Sequence, residues 1–175
     1  SAFSSSSITQ VTLSENLTRI SEGAFANTKL TAVHIPAKVN TIGAAAFQQC
    51  SYLKKLTFAD NSMLDSISGK PGEGAFANCS NLENFDFPAS LTTIGQEAFY
   101  ACYALTEVTI PVNVRLMEGS AFQYCTGLRQ VNFAEGCMLT NIPDYCFSNC
   151  TELTTVNFSD GIQKLGSHAF AYDHQ

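Results

Sequence analysis

Apolar residues return along this chain in one short phrase, Leu-x-x-Val-x-Ile, at a nearly constant interval. Leu30/Val33/Ile35 is followed by Leu53/Leu56/Phe58, Leu82/Phe85/Phe87, Leu105/Val108/Ile110, Leu128/Val131/Phe133 and Leu153/Val156/Phe158, with Ile8/Val11/Leu13 at the start. At the last two apolar positions the residues between and beside them are polar, which is the period of a strand with one buried face. The pattern predicts seven such strands stacked in parallel. Pro36, Pro88 and Pro111 follow directly on three of them, where a residue without an N–H ends a ladder and turns the chain.

A second apolar pair follows in each unit: Leu17/Ile20, Val39/Ile42, Leu64/Ile67, Leu91/Ile94, Val114/Met117, Leu139/Ile142 and Ile162/Leu165. Gly43, Gly95 and Gly166 come immediately after it, where a tight turn would use positive φ. The unit closes on an Ala-Phe pair or its equivalent, at Phe3, Phe25, Phe47, Phe76, Phe99, Phe122, Phe147 and Phe170, separated by 22, 22, 29, 23, 23, 25 and 23 residues. A period in the low twenties marks a solenoid, whose units bury their apolar faces only by stacking. The Ala-Phe-x-x-Cys segment is expected to form one helical turn or a 3₁₀ piece with Phe pointing inward. The longest interval carries its extra residues in Ser68-Gly69-Lys70-Pro71-Gly72-Glu73-Gly74, a flexible loop composition expected outside the stack.

Composition narrows the functional classes. Nine Lys and Arg against fifteen Asp and Glu, a net charge of −6, argue against nucleic acid and anionic membrane as partners, because phosphate-tracking surfaces concentrate cations. No apolar run approaches the roughly 20 residues needed to cross a bilayer, so no direct membrane insertion is expected. His34, His168 and His174 are too scattered to form a site, and no Ser or Cys pairs by motif with a His and an acid, so an enzyme is not expected. No cofactor and no metal site is implied.

Cys50, Cys79, Cys102, Cys125 and Cys150 stand three residues after a repeat Phe and therefore form one column. Adjacent pairs one stacking step apart fall within disulfide range, but a column spreads ligands along a line and is a poor metal site. A small, buried, weakly donating filler is the alternative, and the odd total of seven cysteines fits thiols better than a disulfide framework.

The Leu-x-x-Val-x-Ile-Pro, Ile-Gly and Ala-Phe-x-x-Cys elements resemble the BspA-like, or Treponema-type, leucine-rich repeat over essentially the whole chain. Cys146 before Phe147, Glu118 in the usual Gly position and Ser66-Ile67-Ser68 depart from the pattern without removing a core position. The resemblance implies an α/β repeat solenoid: a single arc over residues 1–175 of about seven repeats of about 23 residues. Its parallel sheet would be concave, with short strands, turns or 3₁₀ pieces on the convex side. It also implies a surface-exposed or secreted protein that binds host or extracellular proteins in adhesion, and it transfers no catalytic or ligand-contacting residue.

If Val33 and Ile35 point inward, the residues between them point outward, and the same parity holds in every copy. One outward column is Gln10, Ala32, Lys55, Asn84, Glu107, Gln130 and Thr155; the other is Thr12, His34, Thr57, Asp86, Thr109, Asn132 and Asn157. These polar positions are the candidate binding face for an extended protein ligand. They lack the Tyr, Trp and Arg anchors of strong interfaces, so a single copy is expected to bind weakly and gain from multivalency. A structural spacer and, further off, carbohydrate binding are the rival roles. The chain begins inside a unit at Ser1-Ala2-Phe3 and stops just past the last Phe. It is therefore read as a piece of a longer array whose open ends invite weak self-association.

Overall fold

The computed structural model describes residues 2–172; His174 lies outside the described residues. Along the described chain run β1 (Arg19–Ile20), β2 (Ala32–Ile35), β3 (Thr41–Ile42), β4 (Lys55–Phe58), β5 (Ser66–Ile67), β6 (Thr93–Ile94), β7 (Glu107–Ile110), β8 (Leu116–Met117), β9 (Gln130–Phe133), β10 (Asn141–Ile142), β11 (Thr155–Asn157) and β12 (Lys164–Leu165). Every pairing among them is parallel and joins one coil to the next. The molecule is a parallel β-solenoid of about six turns, and no helix occurs among the described residues. The expected α/β repeat is thereby overturned.

The physical reason lies in the Ala-Phe segment. Residues two before and two after the repeat Phe adopt positive φ in most copies, as at Ala45 (54°) and Gln49 (59°), Glu97 (55°) and Ala101 (56°), or Tyr145 (56°) and Asn149 (62°), Gly74 before Phe76 being an exception. Left-handed residues at this spacing break any helix. They also turn alternate amides out of the coil. Ala45, Phe47 and Gln49 donate to Glu73 O, Ala75 O and Ala77 O of the next coil, at 3.0, 2.7 and 2.8 Å. Ala46, Gln48 and Cys50, lying between them, close turns on Gly43 O, Ala45 O and Phe47 O. The segment is a stacked ladder of turns.

The glycines expected at positive φ are required for a different reason. Gly43, Gly95 and Gly166 are absent from the left-handed region, but a Cβ on Gly95 would lie 2.4 Å from Gly69 N, and one on Gly43 2.7 Å from Glu22 N. Neighbouring coils approach too closely there for a side chain. The 68–74 insertion also differs from the flexible loop expected of it. Lys70 Nζ contacts Glu22 Oε1 and Glu73 Oε2, each at 2.9 Å, Gln48 Nε2 donates to Gly72 O, and Gly72 N donates to Glu97 Oε2.

The core is a set of columns. Phe25 through Phe147 are buried, and consecutive repeat phenylalanines from Phe3 to Phe170 stack with centroids 5.1 to 5.4 Å apart and planes within 5 to 11°. Each such contact is worth about 0.5–1.5 kcal/mol beyond the area it buries. Beside it runs the cysteine column, all buried thiols. Cys50, Cys79, Cys102, Cys125 and Cys150 each direct Sγ to the carbonyl of the repeat Phe one coil earlier, at 3.1 to 3.4 Å. Thr28 takes the same place in an earlier coil and sits 3.3 Å from Cys50 Sγ.

Candidate functional site

Strands β2 and β4, and β7, β9 and β11, form the two parallel groups that carry the outward columns. Register sets His34 beside Thr57, with Ala32 beside Lys55. It also aligns Glu107, Gln130 and Thr155 in one row, and Thr109, Asn132 and Asn157 in the next. Val33, Leu56, Val108 and Val131, which alternate with them, are buried. Thr12, Asn84 and Asp86 lie outside any strand, although all three are exposed.

Side chains on this face are tied to one another. His34 Nδ1 lies 2.8 Å from Thr57 Oγ1. Asn132 Nδ2 donates to Glu107 Oε1 at 2.8 Å, while Asn132 Oδ1 accepts from Gln130 Nε2 at 2.9 Å and from Asn157 Nδ2 at 2.8 Å. Four residues from three coils are therefore fixed in one network. Such cross-linking lowers the entropy lost when a partner docks.

The two strand groups are separated by residues 84–87, where the sequence pattern predicts a further strand and the structure has none. Phe85 and Phe87 meet edge-on at 4.8 Å, and both pack on Phe99, at 5.4 and 5.5 Å. Phe87 has phenylalanine counterparts in Phe58, Phe133 and Phe158, but Phe85 stands where the other coils carry Val or Leu, so two large rings one residue apart occur in this coil. Asn84 bridges the interruption: its Oδ1 accepts from Thr106 N at 2.8 Å and Glu107 N at 3.2 Å, and its Nδ2 donates to Thr106 Oγ1 at 2.7 Å. Elsewhere a backbone carbonyl takes both amides, as Thr106 O does for Arg129 and Gln130. Beside this break opens a cavity of about 270 Å³ lined by Asn84, Phe85, Asp86, Glu107 and Thr109. Sequence reasoning put four of the five on the binding face and missed Phe85, which reads as a plain core position in the repeat; the one signal was the crowding of Phe85 with Phe87.

Away from this face the buried cysteines are held as thiols. Burial pushes the Cys79, Cys102 and Cys146 thiols well up and that of Cys125 up to about 12. Among the described residues no group of three His, Cys, Asp or Glu is placed to hold a metal ion. Tyr100 and Tyr124 meet edge-on at 5.4 Å along the Ala-Phe ladder, and burial raises the Tyr100 phenol, so aromatics reach the surface away from the strand columns.

A model of the BspA type leucine rich repeat region matches residues 1–71 and 68–175, in six copies. The chain belongs to that family. No curated protein matches the sequence. Among solved structures, the leucine rich repeat protein of T. pallidum aligns over 86% of this chain and 67% of its own at 27% identity, with a TM-score of 0.73. A leucine-rich repeat protein from Bacteroides ovatus aligns over 79% of this chain and 40% of its own at 30% identity and a TM-score of 0.59. A leucine rich cell surface protein from Faecalibacterium prausnitzii aligns over 86% and 53% at 26% identity and a TM-score of 0.51. The BspA-type chain thus spans two fifths to two thirds of these solved structures. A leucine-rich repeat fold is consistent with a protein-interaction module. No helix among the described residues is long and apolar enough to cross a membrane.

Proposed function

We propose that this BspA-type repeat stack is a non-enzymatic protein-binding module of a surface-exposed or secreted protein, and that its strand face mediates adhesion to host or extracellular proteins. The observation that carries this reading is the hydrogen-bonded network of Glu107, Gln130, Asn132 and Asn157 across three coils. A face whose polar side chains are held in register by the ladder presents donors and acceptors at about 4.8 Å intervals, a spacing suited to an extended chain. The Faecalibacterium relative, described as a cell surface protein, supports the location. Individual contacts of this kind are weak, so display in many copies supplies the avidity.

The test is capture on a panel of immobilised extracellular-matrix proteins, comparing the parent with a variant carrying Asp86→Lys, Thr109→Lys and Asn132→Lys. All three positions face outward, so the variant is expected to keep the parental circular dichroism while losing capture at least tenfold. A folded variant that adheres as the parent does, or a parent that captures none of the panel, overturns the reading and leaves the stack as a spacer.

A further inference from the structure

We propose that the hollow at the corners of the two coils carrying β9 and β11 is a binding site for a neutral sugar ring. This goes beyond protein capture by the strand face, whose outward columns hold no Phe, Tyr or Trp for a sugar to stack on. The hollow lies where the chain leaves β9 and β11 and has a volume of about 460 Å³, within the range of small-molecule sites. Two equivalent turns frame it: Cys137 N donates to Ala134 O at 2.9 Å, and one coil later Ile162 N donates to Ser159 O at 3.2 Å.

Ser159 lines the hollow, is only 9% exposed, and its Oγ has no hydrogen-bond partner. The two turns also place Glu135 and Asp160 at the same position one coil apart, and both line the hollow. In the turns that open with Pro88 and Pro111, that position holds Ala89 and Val112. Neither carboxylate has a hydrogen-bond or ion-pair partner among the described residues. None of the three groups serves the fold: neighbouring like charges repel, and an unpaired buried hydroxyl forfeits a hydrogen bond. A ligand accounts for all three. Phe158 supplies the apolar wall. One face of its ring stacks on Phe133 at 5.7 Å and Phe170 meets it edge-on at 5.9 Å, yet the residue remains 45% exposed. The lining thus joins a held aromatic ring to carboxylates that only accept and a hydroxyl that also donates. A sugar matches this set, because its ring C–H groups pack on an aromatic ring while its hydroxyls donate around the rim. Two carboxylates repel anions, and a simple ammonium fills neither the volume nor the ring surface. Gly136, also in the lining, leaves its side open, since a Cβ there would meet nothing within 4 Å.

The experiment titrates the isotopically labelled protein with the methyl glycosides of galactose, glucose, mannose and N-acetylglucosamine, following backbone amide shifts. At least one glycoside is expected to give saturable shifts confined to residues 133–136 and 158–161, with a Kd of about 1–10 mM. Sorbitol, which has the hydroxyls but no ring, should give less than about a fifth of those shifts. Glu135→Gln with Asp160→Asn, which keeps shape and removes the charged acceptors, should weaken the glycoside about fivefold or more, and Phe158→Ala should abolish its binding. Asp60→Asn, at the same turn position in an earlier coil, should change nothing. Circular dichroism checks the fold of Phe158→Ala, and the double carboxylate variant decides alone if that one does not fold. No shift from any glycoside, equal shifts from sorbitol, shifts scattered over the surface, or indifference to the double variant would each overturn the proposal. So would calcium ions or lysine methyl ester moving the same amides at lower concentration, which would mark a cation site. Matrix capture by the strand face does not use these residues, so the two readings fail separately.

Discussion

At the scale of single residues, the two small side chains of the repeat are required for contact between coils. Cysteine fits its column because Sγ is small enough for the core and donates to the Phe carbonyl one coil back. Burial raises the thiols, most explicitly Cys125 from 9.0 to about 12. The unfolded chain therefore sheds the Cys125 proton near pH 9 and the folded chain only near pH 12, and the other raised thiols act in the same direction. Stability is full below pH 9 and falls as pH rises across that window, by up to about 1.4 kcal/mol per pH unit for each such thiol. Urea midpoints measured from pH 8 to 11 should drop steeply, and a flat profile would refute the assignment. Aromatic-disulfide reagents should leave the thiols unreacted until urea is added. Glycine offers a second contrast. Gly95→Ala drives a Cβ into the backbone of the previous coil and should cost about 2–3 kcal/mol, whereas Gly72→Ala, with open space at φ +78°, should cost about 1 kcal/mol in the same denaturation assay. Equal losses would contradict close approach as the cause.

At the scale of elements, the ladders are interrupted at two places, each with a cause in the sequence. The four-residue strands stop at 84–87, where Phe85 and Phe87 crowd the core. The two-residue strands stop between β8 and β10. In other coils the residue after the short strand donates to the coil before, as Gly43 N does to Ile20 O and Gly95 N to Ile67 O; Pro143 has no such proton. Asn84 repairs the first interruption, so Asn84→Ala, which leaves two amides without their acceptor, should destabilise by about 1–2 kcal/mol in chemical denaturation. Phe99 lies at the convergence of both ring systems, and Phe99→Ala should cost about 3–5 kcal/mol. Phe3→Ala, at a ring 45% exposed, should cost under about 1 kcal/mol. Five of the seven expected strand positions, the Phe column and the cysteine column were legible because they recur from copy to copy; residues 8–13, which carry the same pattern, form no strand. The break at 84–87 was not, because Phe85 satisfies the apolar pattern and departs from it only in volume, a ring where the other copies carry Val or Leu.

At the scale of the molecule, the two interruptions are staggered. Where the long strands part, β5 and β6 remain paired; where the short strands part, β7, β9 and β11 remain paired, and the phenylalanine stack crosses both places without a gap. A stack held by at least one ladder at every level has no plane of easy separation. Thermal unfolding is therefore expected to be a single transition whose calorimetric and van't Hoff enthalpies agree; two resolved transitions would show that one interruption divides the stack. The same stagger holds the two halves of the strand face in one surface around the cavity, which is what a single extended ligand requires.

Sequence alone determined the repeat, its register, the buried columns, the outward positions and the family resemblance, because each of these depends on periodicity, and a period is a local property of the chain. It left open what the backbone does between the strands. Tertiary contact decided that. A segment short enough for a helical turn instead adopts left-handed residues at Ala45, Glu97 and Tyr145, because the next coil offers carbonyls to alternate amides and a helix would leave them unused. Tertiary contact also set two rings against Phe99 and opened the cavity beside Asp86 and Glu107, through a clash of volumes that a pattern of apolar and polar letters does not record.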